Sequence, residues 1–120
     1  MSLLELKEEL HLKPEQVEAL KPIETDYREV TIKKQADIRV AEVELGALLD
    51  QKKPDREALK NKVKEIGALQ TDLMQYRIDA LLELREALND EQHEKFKTLL
   101  RERMEHFRGS GPMHGMGMMP

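Results

Sequence analysis

The sequence predicts an all-α fold: a long antiparallel helical hairpin with short flanking helices, whose wide apolar faces call for a second copy. Three observations point there. Two long stretches on either side of Gln51-Lys52-Lys53-Pro54-Asp55 carry apolar residues at every third or fourth position, the repeat of an α-helix. The link between them is short, so the second helix must return antiparallel to the first. Charged residues make up 37% and aromatic residues 3% of the chain, which suits long solvated helices over a thin aliphatic core.

The elements follow in order. Leu3 to Leu10 is expected to form a short helix or arm, docked through Leu3, Leu6 and Leu10. Pro14 then opens a helix to about Gln51, since proline at the first helical position loses no needed hydrogen bond. Its stripe is Val17, Leu20, Ile23, Tyr27, Val30, Lys34, Ile38, Ala41, Leu45 and Leu48. Ala36, Val40, Val43 and Ala47 add a second flank. Lys34 is read as a stem snorkelling out of the interface. Pro22 is expected to bend or interrupt the first turns, because its ring opposes the carbonyl four residues back.

Pro54 stops this helix and Asp55 can cap the next, which runs to about Leu88. Leu59, Val63, Ile66, Leu69, Leu73, Tyr76, Ala80, Leu84 and Ala87 form its stripe, and Met74, Ile78, Leu81 and Leu82 widen it. At 1.5 Å per residue such a rod is roughly 50 Å long. One partner helix cannot cover a face that wide, hence the expected homodimer. Asn89 and Gln92 have the spacing of a capping box for a last helix over about 90–107, with Phe96, Leu99, Leu100, Met104 and Phe107 turned inward. Residues 1–108 thus form one hairpin domain, and 109–120 (GSGPMHGMGMMP) are expected to form a flexible tail.

Several function classes lack support. Twenty basic against 24 acidic residues give a net charge of −4, and the aromatic platforms are few, so nucleic-acid binding is not indicated. No apolar run has the length of a membrane span. There is no cysteine, the only serines are Ser2 and Ser110, and no nucleotide-binding or catalytic pattern occurs. Neither an enzyme nor an organic cofactor is expected.

Metal ligands are better represented. Met113, His114, Met116, Met118 and Met119 fall within seven residues of the tail, and thioether with imidazole suits soft ions such as Cu(I). Zinc would depend mainly on His114. On the last helix Glu102 and His106 are four residues apart and share a face, with His93 upstream; a closed zinc site there needs further ligands. The alternative for these residues is an ordinary surface pair, and for the tail a solvated extension.

One signature occurs twice. Leu12-x-x-x-Gln16 and Leu88-x-x-x-Gln92 stand at two helix starts, and both resemble the Leu-Thr-x-x-Gln motif of a family of small exported helical proteins. Its members include the zinc-resistance-associated protein, the Cpx-pathway periplasmic chaperone, the spheroplast-associated chaperone and periplasmic heavy-metal sensors. The Glu-Ile-Gly-Ala-Leu-Gln and Leu-Leu-Glu-Leu-Arg-Glu-Ala-Leu segments are similar to the heavy-metal-resistance branch. Here the motif's threonine is Lys13 in the first copy and Asn89 in the second; asparagine can cap a helix, lysine cannot. The sensor branch carries paired histidines near its start, where this chain has His11 alone.

The resemblance implies a hooked hairpin homodimer in the periplasm, with any export leader outside this sequence (cytoplasmic if there is none), serving metal resistance, sensing or envelope stress. The expected role is metal binding through the tail. The alternative is an ATP-independent chaperone that shields unfolded proteins on a concave face, with an envelope signalling protein as a further partner. Val40, Val43, Ile78 and Leu82 with Arg39 and Arg77 are the expected dimer or client surface, and Arg28, Lys33 and Arg85 could add to its charge.

Overall fold

The computed structural model describes residues 3–109, with side chains as far as residue 105. A 3-10 turn at Leu4–Leu6 is followed by α1 (Pro14–Leu49), α2 (Arg56–Glu86) and α3 (Asp90–Gly109), with no strand among the described residues. The all-α expectation is met. The helices extend over 60 × 40 × 17 Å, so the molecule is an elongated slab one to two helices thick.

The hairpin closes as its stripes dictate. Every residue of the α1 stripe is buried or half-buried, with Leu20 and Ala41 fully enclosed. Asp55 caps α2 through Oδ1, which accepts the Glu57 and Ala58 N–H groups at 2.9 and 3.3 Å. Such a cap contributes about 1 kcal/mol. Midway along, the Tyr27 and Tyr76 rings stack with centroids 5.9 Å apart. The Tyr76 hydroxyl donates to Asp26 Oδ2 at 3.1 Å. Burial first, then that bond to Asp26, pushes the Tyr76 phenol above its usual 10.0. Lys34 bridges the helices: its Nζ pairs with Asp72 and lies 5.7 Å from the centroid of the Tyr76 ring. It is a cross-link between the rods rather than a stem passing out of them.

Besides Lys34, three expectations need correction, and the choice between a short helix and an arm for Leu3 to Leu10 is decided in favour of the arm. Leu3 to Leu10 is not an α-helix: one 3-10 turn gives way to further turns, and His11 takes the left-handed conformation (φ 54°) before α1 begins. So short a segment cannot hold a helix on its own hydrogen bonds. Its three leucines nonetheless dock, at 1%, 5% and 2% exposure. Pro22 does not interrupt α1, which runs unbroken through it; the buried Leu20 and Glu24 anchor the helix on both sides.

Val63 is 58% exposed, and Lys62 takes its place on the packed face. The Lys62 ammonium reaches Glu44 Oε1 at 2.8 Å and Glu65 Oε1 at 3.0 Å. Hydrogen bonding to Glu44, then Glu65, raises it above its ordinary 10.5. Met104 is 59% exposed, not inward. Every residue from Arg101 to Glu105 is exposed, so α3 outruns the cluster that Phe96, Leu99 and Leu100 pack against. The Phe107 side chain lies outside the described residues.

The principal core gathers at the open end of the hairpin. Leu3, Leu6, Leu10, Leu20 and Phe96 form it, with Leu12, Leu84, Ala87, Leu88, Leu99 and Leu100 packed around them. The N-terminal segment is tied there by its Leu3 N–H, which donates to Glu24 Oε2 at 2.7 Å.

Candidate functional site

Both repeated motifs meet in this core. Leu12 and Leu88 pack against it, and Gln16 and Gln92 face each other across it. Gln16 Nε2 donates to Gln92 Oε1 at 2.6 Å, and Gln92 Nε2 donates to Gln16 Oε1 at 2.9 Å. The remaining amide hydrogens cross as well: Gln16 to the Ala87 carbonyl at 3.0 Å and Gln92 to the His11 carbonyl at 3.2 Å. Each Oε1 also accepts the backbone N–H at its own helix start, Lys13 at 2.8 Å and Asn89 at 3.0 Å. Both amides are therefore satisfied at all four positions, which removes the penalty for burying them.

The two copies are related by a local two-fold, since every bond has a counterpart 76 residues away. They differ at one point. Asn89 Oδ1 accepts the Gln92 N–H at 2.8 Å and completes a capping box, whereas the Lys13 side chain has no acceptor to offer and makes no cap bond. The motif glutamines thus clasp the open end of the hairpin.

A second feature is apolar surface left uncovered. On α1, Ile32, Arg39 and Val43 share a face by helical spacing, with Val40 on its shoulder. On α2, Val63, Met74 and Leu81 do the same, with Ile78 and Leu82 beside them. Ile32, Val43 and Met74 are 60%, 66% and 65% exposed, and Val40, Ile78, Leu81 and Leu82 are about half exposed. At the clasp end the two faces converge on one hollow of about 570 Å³, which includes Ile32 and Leu81. Arg28 and Arg77 line the same hollow. Arg39 and Arg85 are also exposed. Lys33, five residues from Arg28, points about 140° away around the helix.

The structure does not gather the α3 metal candidates into a closed site. His93 is half-buried in a small hollow with Leu3, Leu82, Leu88 and Phe96, where its Nδ1 has no hydrogen-bond partner among the described residues. Glu102 is exposed, and the His106 side chain lies outside the described residues. Among the described residues no three His, Asp or Glu side chains cluster as metal ligands. Met113, His114, Met116, Met118 and Met119 all lie outside the described residues.

Sequence reasoning missed the amide-to-amide pairing and the ion triad at Lys62. The first had a signal, an identical motif repeated at two helix starts. The second had none in an apolar pattern, because its key residue is charged. No helix among the described residues is long and apolar enough to cross a membrane.

Comparison with known proteins gives one match. A family model described as heavy-metal resistance covers residues 6–95, from the docked N-terminal segment through both motifs to the first turns of α3. No curated protein and no solved structure matches the chain.

Proposed function

The chain belongs to the heavy-metal resistance family, and from that premise we propose that it binds copper or zinc through its C-terminal methionines and His114 and serves metal tolerance or sensing in the periplasm. The observation that supports this most is the family match over residues 6–95 of a chain that carries four methionines and a histidine within residues 113–119. The hairpin is the carrier, and the ligands are brought by the segment after α3. Thioethers favour Cu(I), while zinc would draw on His114 and, as a second set, on Glu102 and His106; His93 stands about 180° around α3 from Glu102 and does not join them. The role is sequestration or signalling rather than catalysis.

The test compares the full chain with a version ending at Arg108. The full chain binds Cu(I) more tightly than Zn(II), and the shortened chain loses Cu(I) binding. Undiminished binding after the deletion overturns the tail as ligand; no binding of either ion to the full chain overturns metal handling itself.

Assembly as a homodimer belongs to the same reading. Its support is the 48–66% exposure of Val40, Val43, Ile78 and Leu82, residues that a lone chain leaves in water. A second reading, an ATP-independent chaperone, is favoured by the mixture of apolar and guanidinium side chains on that surface. Suppression of client aggregation that survives deletion of 109–120 favours it over metal handling. An envelope signalling protein would be a further partner in either case.

A further inference from the structure

The hollow at the clasp end has the walls and the donors of a small-molecule site. Leu3, Ile32, Leu81, Leu84, Phe96 and Leu100 form its apolar lining, drawn from the N-terminal segment and all three helices. Its volume of about 570 Å³ lies within the roughly 300–1,000 Å³ typical of ligand pockets. A second hollow of about 120 Å³ shares five of those residues and extends the apolar space toward Leu88.

Its polar lining combines two arginines, Arg28 and Arg77, with the hydroxyl side chains Tyr27 and Thr31 and the carboxylates Glu5 and Glu24. The Arg28 and Arg77 guanidiniums, from α1 and α2, make no ion pair or hydrogen bond among the described residues. Thr31 Oγ1 is buried at the same hollow without a partner. A mid-helix threonine whose hydroxyl is buried and unpaired costs free energy until something meets it. The two carboxylates in the lining are already engaged: Glu24 holds the Leu3 N–H at 2.7 Å, and Glu5 has a partner of its own. Beside these engaged carboxylates stand two cations, the hydroxyl side chains Thr31 and Tyr27, and an aliphatic wall. Arg85 and Lys97 at the rim of the smaller hollow add positive charge, with Lys97 3.5 Å from Glu94.

We propose that this hollow binds a long-chain aliphatic carboxylate, its anion held by Arg28, Arg77 and Thr31 and its chain laid along Leu81, Leu84, Phe96 and Leu100. Planar guanidiniums match a carboxylate in geometry as well as charge. The site is independent of metal binding, because none of its residues belongs to the tail.

The experiment titrates the full chain with laurate and with dodecanol below their aggregation concentrations. Laurate binds saturably, one per site, and more tightly than dodecanol by about tenfold to a hundredfold, the range for a charge-assisted hydrogen bond. Replacing both arginines (R28A with R77A) removes that preference, and Thr31→Val weakens laurate a few-fold. Both arginines are exposed, so the double variant keeps its helical circular dichroism. Equal affinity for acid and alcohol, non-saturating uptake, an unaltered preference in the double variant, or no binding each overturns the proposal. So does a hollow that takes an unfolded protein and ignores laurate.

Discussion

The two ends of the hairpin are built on different physics. At the clasp end Leu3, Leu6, Leu10, Leu20 and Phe96 are buried at 7% exposure or less, and two glutamine amides use every hydrogen bond they have. Around the link, from Ile38 to Ile66, only Ala41 is fully buried, while Val40, Val43, Leu49 and Val63 are more than half exposed. The rods there are joined by half-buried leucines and the Lys62 ion triad. One end holds a small closed core beside the exposed Ile32, Leu81 and Leu82, and the other is a two-layer ribbon that encloses only Ala41. The contrast teaches which apolar residues one chain encloses by itself and which it leaves in water.

The comparison can be broken most severely at Phe96. Truncation to alanine should cost about 3–5 kcal/mol by chemical denaturation, as expected for an aromatic lost from a packed core. The same truncation at Leu49, near the link, should stay within about 0.5 kcal/mol in the monomer. Equal losses at both places would erase the distinction.

Next in size is Gln92. Changing it to alanine strands the Gln16 amide, the His11 carbonyl and the Asn89 N–H, and should cost about 2 kcal/mol or more. Gln92→Glu keeps the acceptor for the Asn89 N–H but cannot donate to the His11 carbonyl, so it should not restore the wild-type midpoint. A rescue by glutamate would mean that capping, not the clasp, is what matters.

A gain is expected at Lys13. Lys13→Asn supplies the acceptor that Asn89 already provides in the second copy, and should stabilise the protein by about 1 kcal/mol. No gain would show that the first motif copy is held by its glutamine alone.

The smallest effect is with pH. Lys62 and Tyr76 both have raised values in the folded state, above 10.5 and 10.0 respectively. Folded protein then holds more protons than unfolded protein, so their stabilisation is present below pH 10 and fades as pH climbs through the folded values. Thermal melts between pH 9 and 11.5 should show a decline that is shallower in the Tyr76→Phe variant.

Much of the fold is legible from periodicity, because a buried helical face must repeat every three or four residues. The entire α1 stripe behaves that way, Lys34 included. The rule misleads where geometry and polarity disagree: position 62 is nearer the packed face than position 63, and two carboxylates make a lysine acceptable there. It also misleads at Met104, where the helix continues after its partner surface has ended. Pro22 shows propensity overruled by packing on both sides. The clasp could be anticipated only as two separate helix starts, since nothing local says that residues 76 positions apart will meet. Of the candidate ligands, sequence supplied residue types and spacing, and neither of these states which side chains converge.

That separation shapes how the molecule assembles. Closing a 76-residue loop from an open chain carries an entropic penalty that grows only with the logarithm of loop length. If the rods zip outward from Asp55, the two glutamines are delivered to each other step by step and the buckle fastens last. A growing polypeptide cannot fasten it before residue 92 has been added. Until then the cluster of Leu3, Leu6, Leu10 and Leu20 lacks Phe96 and the α3 leucines that complete it.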